Sequence, residues 1–430
     1  MKKSLISLCL IPLFSQAANQ VDSLADKIEP QVIEWRHHFH QYPELSNREF
    51  KTAAYIADYL KSLGLEVQTG VAKTGVVAIL DSGKPGPVVG LRADIDGLPV
   101  PERNDLPFKS TQIGEYNGKE VPVMHACGHD THISMLMGAA KILTEMKDQL
   151  HGKVKFIFQP AEEGAPTGEE GGAELMVKEN VLKNPDVDTI FGLHISAGAD
   201  TGTIGYRAGG IMAAVDPFKI VVKGKQAHGA YPWMSVDPIV TSAQIVMALQ
   251  TIISREVTLI DDGAVISVGS IHGGNRSNII PEEVELVGTI RTLNPKARDL
   301  IYEAMQRKVK AIGDSMRATT ELTLPLDYNY PITYNEPSLM AEMLPTLQRT
   351  AGSDHVHEVK AVTGAEDFSF FQDQVPGLYL FIGGKPLDVP ADKAPAHHTP
   401  DFFVEDASMK LGVKTLTNLT IDYMKAHASK

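Results

Sequence analysis

A cysteine two residues before a histidine, Cys127-Gly128-His129, is the pair in this sequence whose types and spacing most suggest a bound metal. That spacing lets both side chains leave an extended or looped backbone on the same side. Further along come the adjacent carboxylates Glu162-Glu163, then His194, then His397-His398. Cys127, His129, Glu163, His194 and His398 together make five ligands. If one of them bridges, each of two metals receives three protein ligands and both share an open position for water, as hydrolytic sites require. The pair Glu162-Glu163 can then divide its work, one carboxylate ligating and the other accepting a proton from that water.

These residues need elements to hold them. Apolar residues recur at three- and four-residue spacing over 21–41 and 46–63, which predicts helices, with Gly64 stopping the second. Strand-like runs follow at Gly75–Leu80, Val88–Arg92, Val154–Phe158, Thr189–Leu193 and Leu378–Ile382, with a helical pattern at Thr131–Met146. The alternation predicts an α/β fold, a mostly parallel sheet flanked by helices. Four of the strands run towards polar residues: Asp94 and Asp96, Glu162-Glu163, His194, and, through a loop, His397-His398. Sites in such sheets form beyond the carboxyl ends of the strands, so this placement argues for one shared site. Asp130 or Thr131 is expected to cap the helix after Cys127, and the positive end of that helix to favour a thiolate.

The middle of the chain has a different rhythm. Strand, helix, strand, strand, helix and strand are predicted at Phe218–Val222, Ile239–Ser254, Val265–Ile271, Val284–Leu293, Leu300–Met316 and Thr319–Leu324. That order is ferredoxin-like α+β. The expected organisation is a catalytic, metal-binding domain over 18–209 and 326–430, with an inserted lid or dimerisation domain at 210–325.

At 430 residues the chain is too long for one compact core, which agrees with two domains. A formal net charge of −13 with no Lys/Arg block gives no nucleic-acid footprint. Lys2-Lys3, the apolar run Leu5 to Phe14, and Ser15-Gln16-Ala17 form a signal-peptide pattern, cleaved after Ala17, and predict a secreted or periplasmic protein without stable membrane contact. Cys9 leaves with that segment, so Cys127 is the one thiol of the mature chain and has no disulfide partner.

Several stretches, in order along the chain, carry a resemblance to a known family. They are Arg36-His37-His38-Phe39-His40 with Pro43-Glu44-Leu45, Leu91 to Pro99, Met124 to His132, Phe158 to Gly164, Gly192-Leu193-His194, Gly224 to His228, Asn278 to Pro281, Thr363 to Phe368 and His397 to Pro400. The sequence resembles the aminoacylase/carboxypeptidase-type di-metal amidohydrolases, in the branch of bacterial N-acyl-amino-acid and hippurate hydrolases and plant auxin-conjugate hydrolases. The resemblance implies that Cys127 bridges two divalent metals, with His129 and His194 on one and Glu163 and His398 on the other. It gives Glu162 the role of base, Asp96 that of orienting the metal shell from behind, and His228 that of steadying the oxyanion, usually across a dimer interface. It gives Asn278 contact with the amino-acid end of the substrate, and His37, His38 and His40 no catalytic part. A thiolate bridge suits zinc, and the imidazole and carboxylate ligands also admit manganese, cobalt or nickel. Trp233 departs from the family pattern, where a histidine is common, and bears on which acyl group is preferred.

The expected function is hydrolysis of the amide bond of N-acyl-amino acids by a homodimer joined through the inserted domain. A metallo-carboxypeptidase or dipeptidase acting on short peptides is the alternative within the same chemistry. A non-catalytic exported metal- or peptide-binding protein is the alternative outside it, and an intact base beside a full ligand set argues against that reading.

Overall fold

The computed structural model describes residues 12–258, 263–326 and 329–428. Residues 1–11 of the expected leader lie outside them, and residues 12–17 open a helix that runs from Pro12 to Gln41. Among the described residues no helix is long and apolar enough to cross a membrane. The chain divides into two units, one of Met1–Ala208, Asn335–Val359 and Phe370–Lys430, the other of Gly209–Tyr334 and Lys360–Ser369.

The first unit is built on an eight-stranded sheet. Its strand order is Glu66–Val71, Gly75–Asp81, Lys153–Gln159, Val88–Asp94, Thr189–Asp200, Gly377–Lys385, Ile204–Tyr206, Val356–Glu358. The four central strands are parallel, while the first two joints and the Gly377–Lys385/Ile204–Tyr206 joint are antiparallel. The central strands are apolar almost throughout because both faces are covered: Val89, Leu91, Phe156, Phe158, Ile190 and Phe191 are fully buried. Arg92 is buried among them without an isolated charge, since it donates to Gln159 Oε1 at 2.7 Å and Asp94 Oδ2 at 2.6 Å.

On one face the helices Pro12–Gln41, His129–Glu145 and Ser408–Ala426 pack together. Gly138 permits this approach, since a Cβ there would lie 2.8 Å from Val413 and 3.0 Å from Val32. The link from Val88–Asp94 through the helix His129–Glu145 to the parallel strand Lys153–Gln159 is a βαβ crossover. It brings the ends of both strands and the start of the helix to one edge of the sheet.

The second unit has four antiparallel strands in the order Ala264–His272, Glu283–Thr292, Ala214–Lys223, Thr319–Thr323. Helices Pro238–Arg255 and Pro295–Met316 supply Ile245, Leu249, Ile252, Ile301, Met305 and Val309 to its core, giving the ferredoxin-like order. Both helices begin alike. Asp237 and Asn294 accept from the amides of the first turn, and proline stands at the first helical position. The unit is larger than 210–325. Val215 and Tyr330 exchange two backbone hydrogen bonds of 3.0 Å, and Ala213 N donates to Val362 O at 3.1 Å. These pairings carry residues 329–334 and 360–369 into this unit.

Candidate metal centre

The segment that carries Cys127 is fixed at both ends. Upstream, Met124 exchanges backbone hydrogen bonds with Leu98 at 2.9 and 3.0 Å. Downstream, Gly128 is the N-cap of the His129–Glu145 helix with φ +97°, and a Cβ there would lie 2.4 Å from Ile195 Cγ2. Only glycine fits that backbone and that contact. The cap expected from Asp130 or Thr131 is absent. Asp130 turns its carboxylate to Arg36 at 3.1 Å and His40 at 2.9 Å, and Thr131 Oγ1 donates to Gly128 O at 2.6 Å.

Six side chains converge beyond this turn, the five expected ligands and Glu162. Cys127 Sγ stands 3.3 Å from His194 Nε2 and 3.3 Å from His398 Nε2. His398 Nε2 lies 3.1 Å from Glu163 Oε1, and His129 Nε2 lies 3.8 Å from Glu162 Oε2 and 3.9 Å from Glu163 Oε1. Two groups of donors spaced for a metal ion result, Cys127/His129/His194 and Cys127/Glu163/His398, and Cys127 stands in both. His129, Glu162 and Glu163 form a third such group.

Hydrogen bonds behind these residues set which atom faces the site. His129 Nδ1 donates to Asp96 O at 2.8 Å, and its Nε2 is buried with no hydrogen-bond partner. His194 Nδ1 donates to Ile195 O at 2.6 Å, leaving Nε2 as the ligating atom. A buried imidazole nitrogen with no partner, beside a thiol and carboxylates, is a donor set that a divalent cation fits. His194 was expected at a strand end, but its strand continues to Asp200. The neighbouring strand Val88–Asp94 pairs with it only as far as Gly192, so His194 sits just past the point where that neighbour stops.

Ionisation at the site follows from burial and neighbours. Burial alone would lower the His129 pKa, but Asp94, Asp96 and Glu163 outweigh it and push it up to about 10. Burial pushes the Cys127 thiol well up, and the Glu163 and Glu162 carboxylates add to this. The helix terminus therefore does not by itself give a thiolate; a cation is needed to displace the proton. Burial takes His194 well below its usual range, which keeps it neutral, as a ligand must be. Glu163 holds the half-exposed His398 up.

Asp96 accepts from Glu162 N at 3.1 Å, Glu163 N at 3.0 Å and Ser46 Oγ at 2.8 Å, and lies 3.2 Å from His129 Nδ1. It touches the backbone of the glutamate pair as well as the ring of a histidine. Ser46, Glu49 and His132 were given no role from sequence, and His397 was named only as the neighbour of His398. His132 bridges Asp94 Oδ1 at 2.6 Å and Ile195 N at 2.9 Å. His397 donates to Cys127 O at 3.1 Å and accepts from Ala197 N at 3.1 Å, so it fixes the cysteine turn. Glu49 is fully buried, and burial with the nearby Asp96 charge pushes it up to about 8.

His228 and Asn278 lie in the second unit, and are described there. They share a two-stranded ribbon in which His228 pairs with Ile279, and Gly229 N donates to Asn278 O at 2.8 Å. His228 is exposed, and its Nδ1 accepts from Ala230 N at 3.0 Å, which leaves the ring proton on Nε2 facing outward as a donor. Tyr231 and the exposed Trp233 pack edge to face at 5.6 Å on the same loop.

The sequence profile of peptidase family M20/M25/M40 matches residues 90–422. The chain is 40% identical over 398 residues to thermostable carboxypeptidase 2 of Saccharolobus solfataricus, covering 92% of this chain and 96% of the relative. It is 40% identical over 317 residues to an N-acyl-L-amino acid amidohydrolase of Geobacillus stearothermophilus, covering 74% and 82%. In three dimensions it resembles a dinuclear metal-binding peptidase of the M20 family from Bacillus subtilis, with a TM-score of 0.77, 30% identity, and coverage of 93% and 99%. Donor groups gathered at one edge of a parallel sheet, in a chain that matches such relatives nearly end to end, make this protein a member of peptidase family M20/M25/M40 and a hydrolase of amide bonds.

Proposed function

We propose that the chain is an exported N-acyl-amino-acid amidohydrolase that works with two divalent metals, zinc or manganese, with cobalt or nickel as substitutes. The observation that carries this reading is that Cys127 is shared by two three-residue donor groups, Cys127/His129/His194 and Cys127/Glu163/His398, with Glu162 beside them. Bound there, the metals would supply Lewis-acid polarisation of the amide carbonyl and acidity to a water. Cys127, His129, Glu163, His194 and His398 would hold them, and the rest of the chemistry belongs to the protein's own groups. Glu162 takes a proton from the attacking water and passes it to the leaving amine. His228 Nε2 donates to the oxygen on which charge develops, and Asn278 binds the amino-acid end of the substrate. Trp233, 72% exposed on the His228 loop, offers apolar surface to an acyl group.

Glu162→Gln tests the assignment. With metal in excess, kcat on the best of a panel of acetyl-, benzoyl- and indoleacetyl-amino acids is expected to fall about a hundredfold or more. Survival within about tenfold removes Glu162 from the base role. The carboxypeptidase relative at 40% identity supports a second reading, hydrolysis of short peptides. Including dipeptides in the panel decides between the two. Two metals bound with no substrate of the panel cleaved would place the amide substrate outside both classes.

A homodimer through the second unit is part of the proposal. The edge strand Ala264–His272 exposes Val265 and Ile271, and the helix Pro238–Arg255 exposes Ile239, Val240 and Met247. An apolar edge strand beside an apolar helix face suits pairing with a second copy.

A further inference from the structure

The residues after Lys153–Gln159 leave the strand by an unusual route. Ala161 has φ +52°, the left-handed region, and is buried. Non-glycine residues adopt that conformation only where their surroundings impose it. The amides of Ala161, Glu162 and Glu163 then point at two buried carboxyl groups. Ala161 N donates to Glu49 Oε1 at 2.9 Å, Glu162 N to Asp96 Oδ1 at 3.1 Å, and Glu163 N to Asp96 Oδ2 at 3.0 Å. Glu49 is itself held by Thr74 Oγ1, which donates to Oε2 at 2.6 Å.

The segment that brings Glu49 to this place contains the Pro43-Glu44-Leu45 motif, which the site described above does not use. Glu44 accepts from Lys51 N at 2.8 Å and Thr52 N at 2.9 Å, and so satisfies the start of the helix Phe50–Ser62. Gly97 N donates to Glu44 O at 2.7 Å, and Ser46 Oγ reaches Asp96. Asn47 Nδ2 donates to Glu170 O at 3.0 Å. Residues 44–49 thus brace both the Asp96 turn and the loop that carries the glutamate pair.

We infer that Glu49 is a positioning residue for Glu162 and Glu163: by accepting the Ala161 amide it holds the left-handed turn that aims the base and the carboxylate ligand at the metal centre. Glu49 and Asp96 work as a two-part clamp on three consecutive amides. Asp96 fixes where the pair begins, and Glu49 fixes the backbone angle from which it leaves.

The test uses the metal-loaded full chain and reads metal affinity by chelator competition together with kcat and KM. Glu49→Ala is expected to weaken metal binding about ten- to a hundredfold, and to lower kcat with KM little changed. Glu49→Asp keeps a buried acid but withdraws it by about 1.5 Å, the length of one C–C bond, and is expected to act in the same direction should the alanine variant not fold. Glu49→Gln keeps an oxygen for the Ala161 amide and should stay within about threefold of the parent protein. The decisive variant adds Ala161→Gly to Glu49→Ala or Glu49→Asp. Glycine reaches positive φ without a clamp, so the double variant should recover the greater part of the loss. Parent-like affinity and kcat in both single variants overturn the inference, as does a double variant no better than the single one. The inference rests on Glu162 and Glu163 acting as base and ligand, so Glu162→Gln and Glu163→Gln are measured alongside. If these two are silent, the functional reading fails; if they respond while the Glu49 variants do not, only the clamp fails.

Discussion

At the scale of single residues, the candidate site is a proton store. His129 keeps its proton up to about 10 because Asp94, Asp96 and Glu163 outweigh its burial, and burial holds the Cys127 proton well above the usual thiol range. A divalent cation must expel both protons to reach Nε2 and Sγ. The sign follows directly: raising the pH lowers the competition from protons, so metal affinity is expected to climb across neutral pH and to fall on acidification. Isothermal titration with zinc in buffers of different ionisation enthalpy should register net proton release on binding, from His129 and Cys127 and also from His398, which Glu163 holds up. An affinity that stays flat or drops as pH rises would contradict the arrangement. The residues bearing these protons were legible in the sequence because their types are those of metal ligands. Glu49 was not, since a glutamate at the fourth position of the predicted helix 46–63 looks like a solvated charge until the fold buries it completely. His397 was masked by its neighbour: of two adjacent histidines, only the three-dimensional path of the loop tells which ring turns to the cysteine thiol and which to the backbone of the same residue.

At the scale of elements, the periodicities that predict the parallel strands and the helix after Cys127 correspond to strands and a helix within a few residues of the expected bounds, except that the strand expected at Thr189–Leu193 runs on to Asp200. These are the segments in which burial on both faces, or along a stripe, dominates the choice of residue. The helices Pro337–Ala351 and Ser408–Ala426 carry a weaker signal. Pro345 interrupts the first, and the second is buried on nearly all sides, with Thr415, Thr417 and Thr420 inside. Their hydroxyls donate to the carbonyls of Leu411, Val413 and Leu416 at 2.7 to 2.8 Å, so tertiary burial overrides a modest intrinsic propensity. The short strands Ile204–Tyr206 and Val356–Glu358 are fixed by pairing alone and leave no local pattern. The element with the sharpest requirement is the turn at Gly128. Gly128→Ala would place a Cβ 2.4 Å from Ile195 Cγ2 at a φ of +97°. The left-handed backbone and the overpacking together are expected to cost about 2–4 kcal/mol. Thermal melting with and without zinc checks this, and the loss should be accompanied by weaker metal binding because Cys127 and His129 flank the turn. A variant that melts and binds as the parent does would show that the turn has room to relax.

At the scale of the whole molecule, the two units divide the proposed chemistry. The metal donors and Glu162 belong to the first, while His228 and Asn278 belong to the second, where a ribbon and a ring-to-backbone hydrogen bond pre-set them. The second unit also carries the apolar edge strand and helix face on which the homodimer is proposed. Met247 is 69% exposed near the middle of that helix, and a charge there would have to be desolvated in any interface that covers it. Met247→Glu is therefore expected to shift the protein from dimer to monomer in sedimentation velocity while leaving melting temperature and metal content nearly unchanged. The substitution also separates two routes for His228. If the histidine serves the partner's metal centre, the monomeric variant should lose as much kcat as His228→Ala, and adding His228→Ala to it should cost nothing more, since residues that act as one unit are not additive. A monomer with full turnover would leave His228 acting within its own chain, and a parent protein already monomeric at micromolar concentration would remove the apolar face from the argument. The expected result is the first, because a donor that is exposed, held by the Ala230 amide and packed beside Tyr231, which in turn packs on Trp233, is built to meet something other than the surface that carries it.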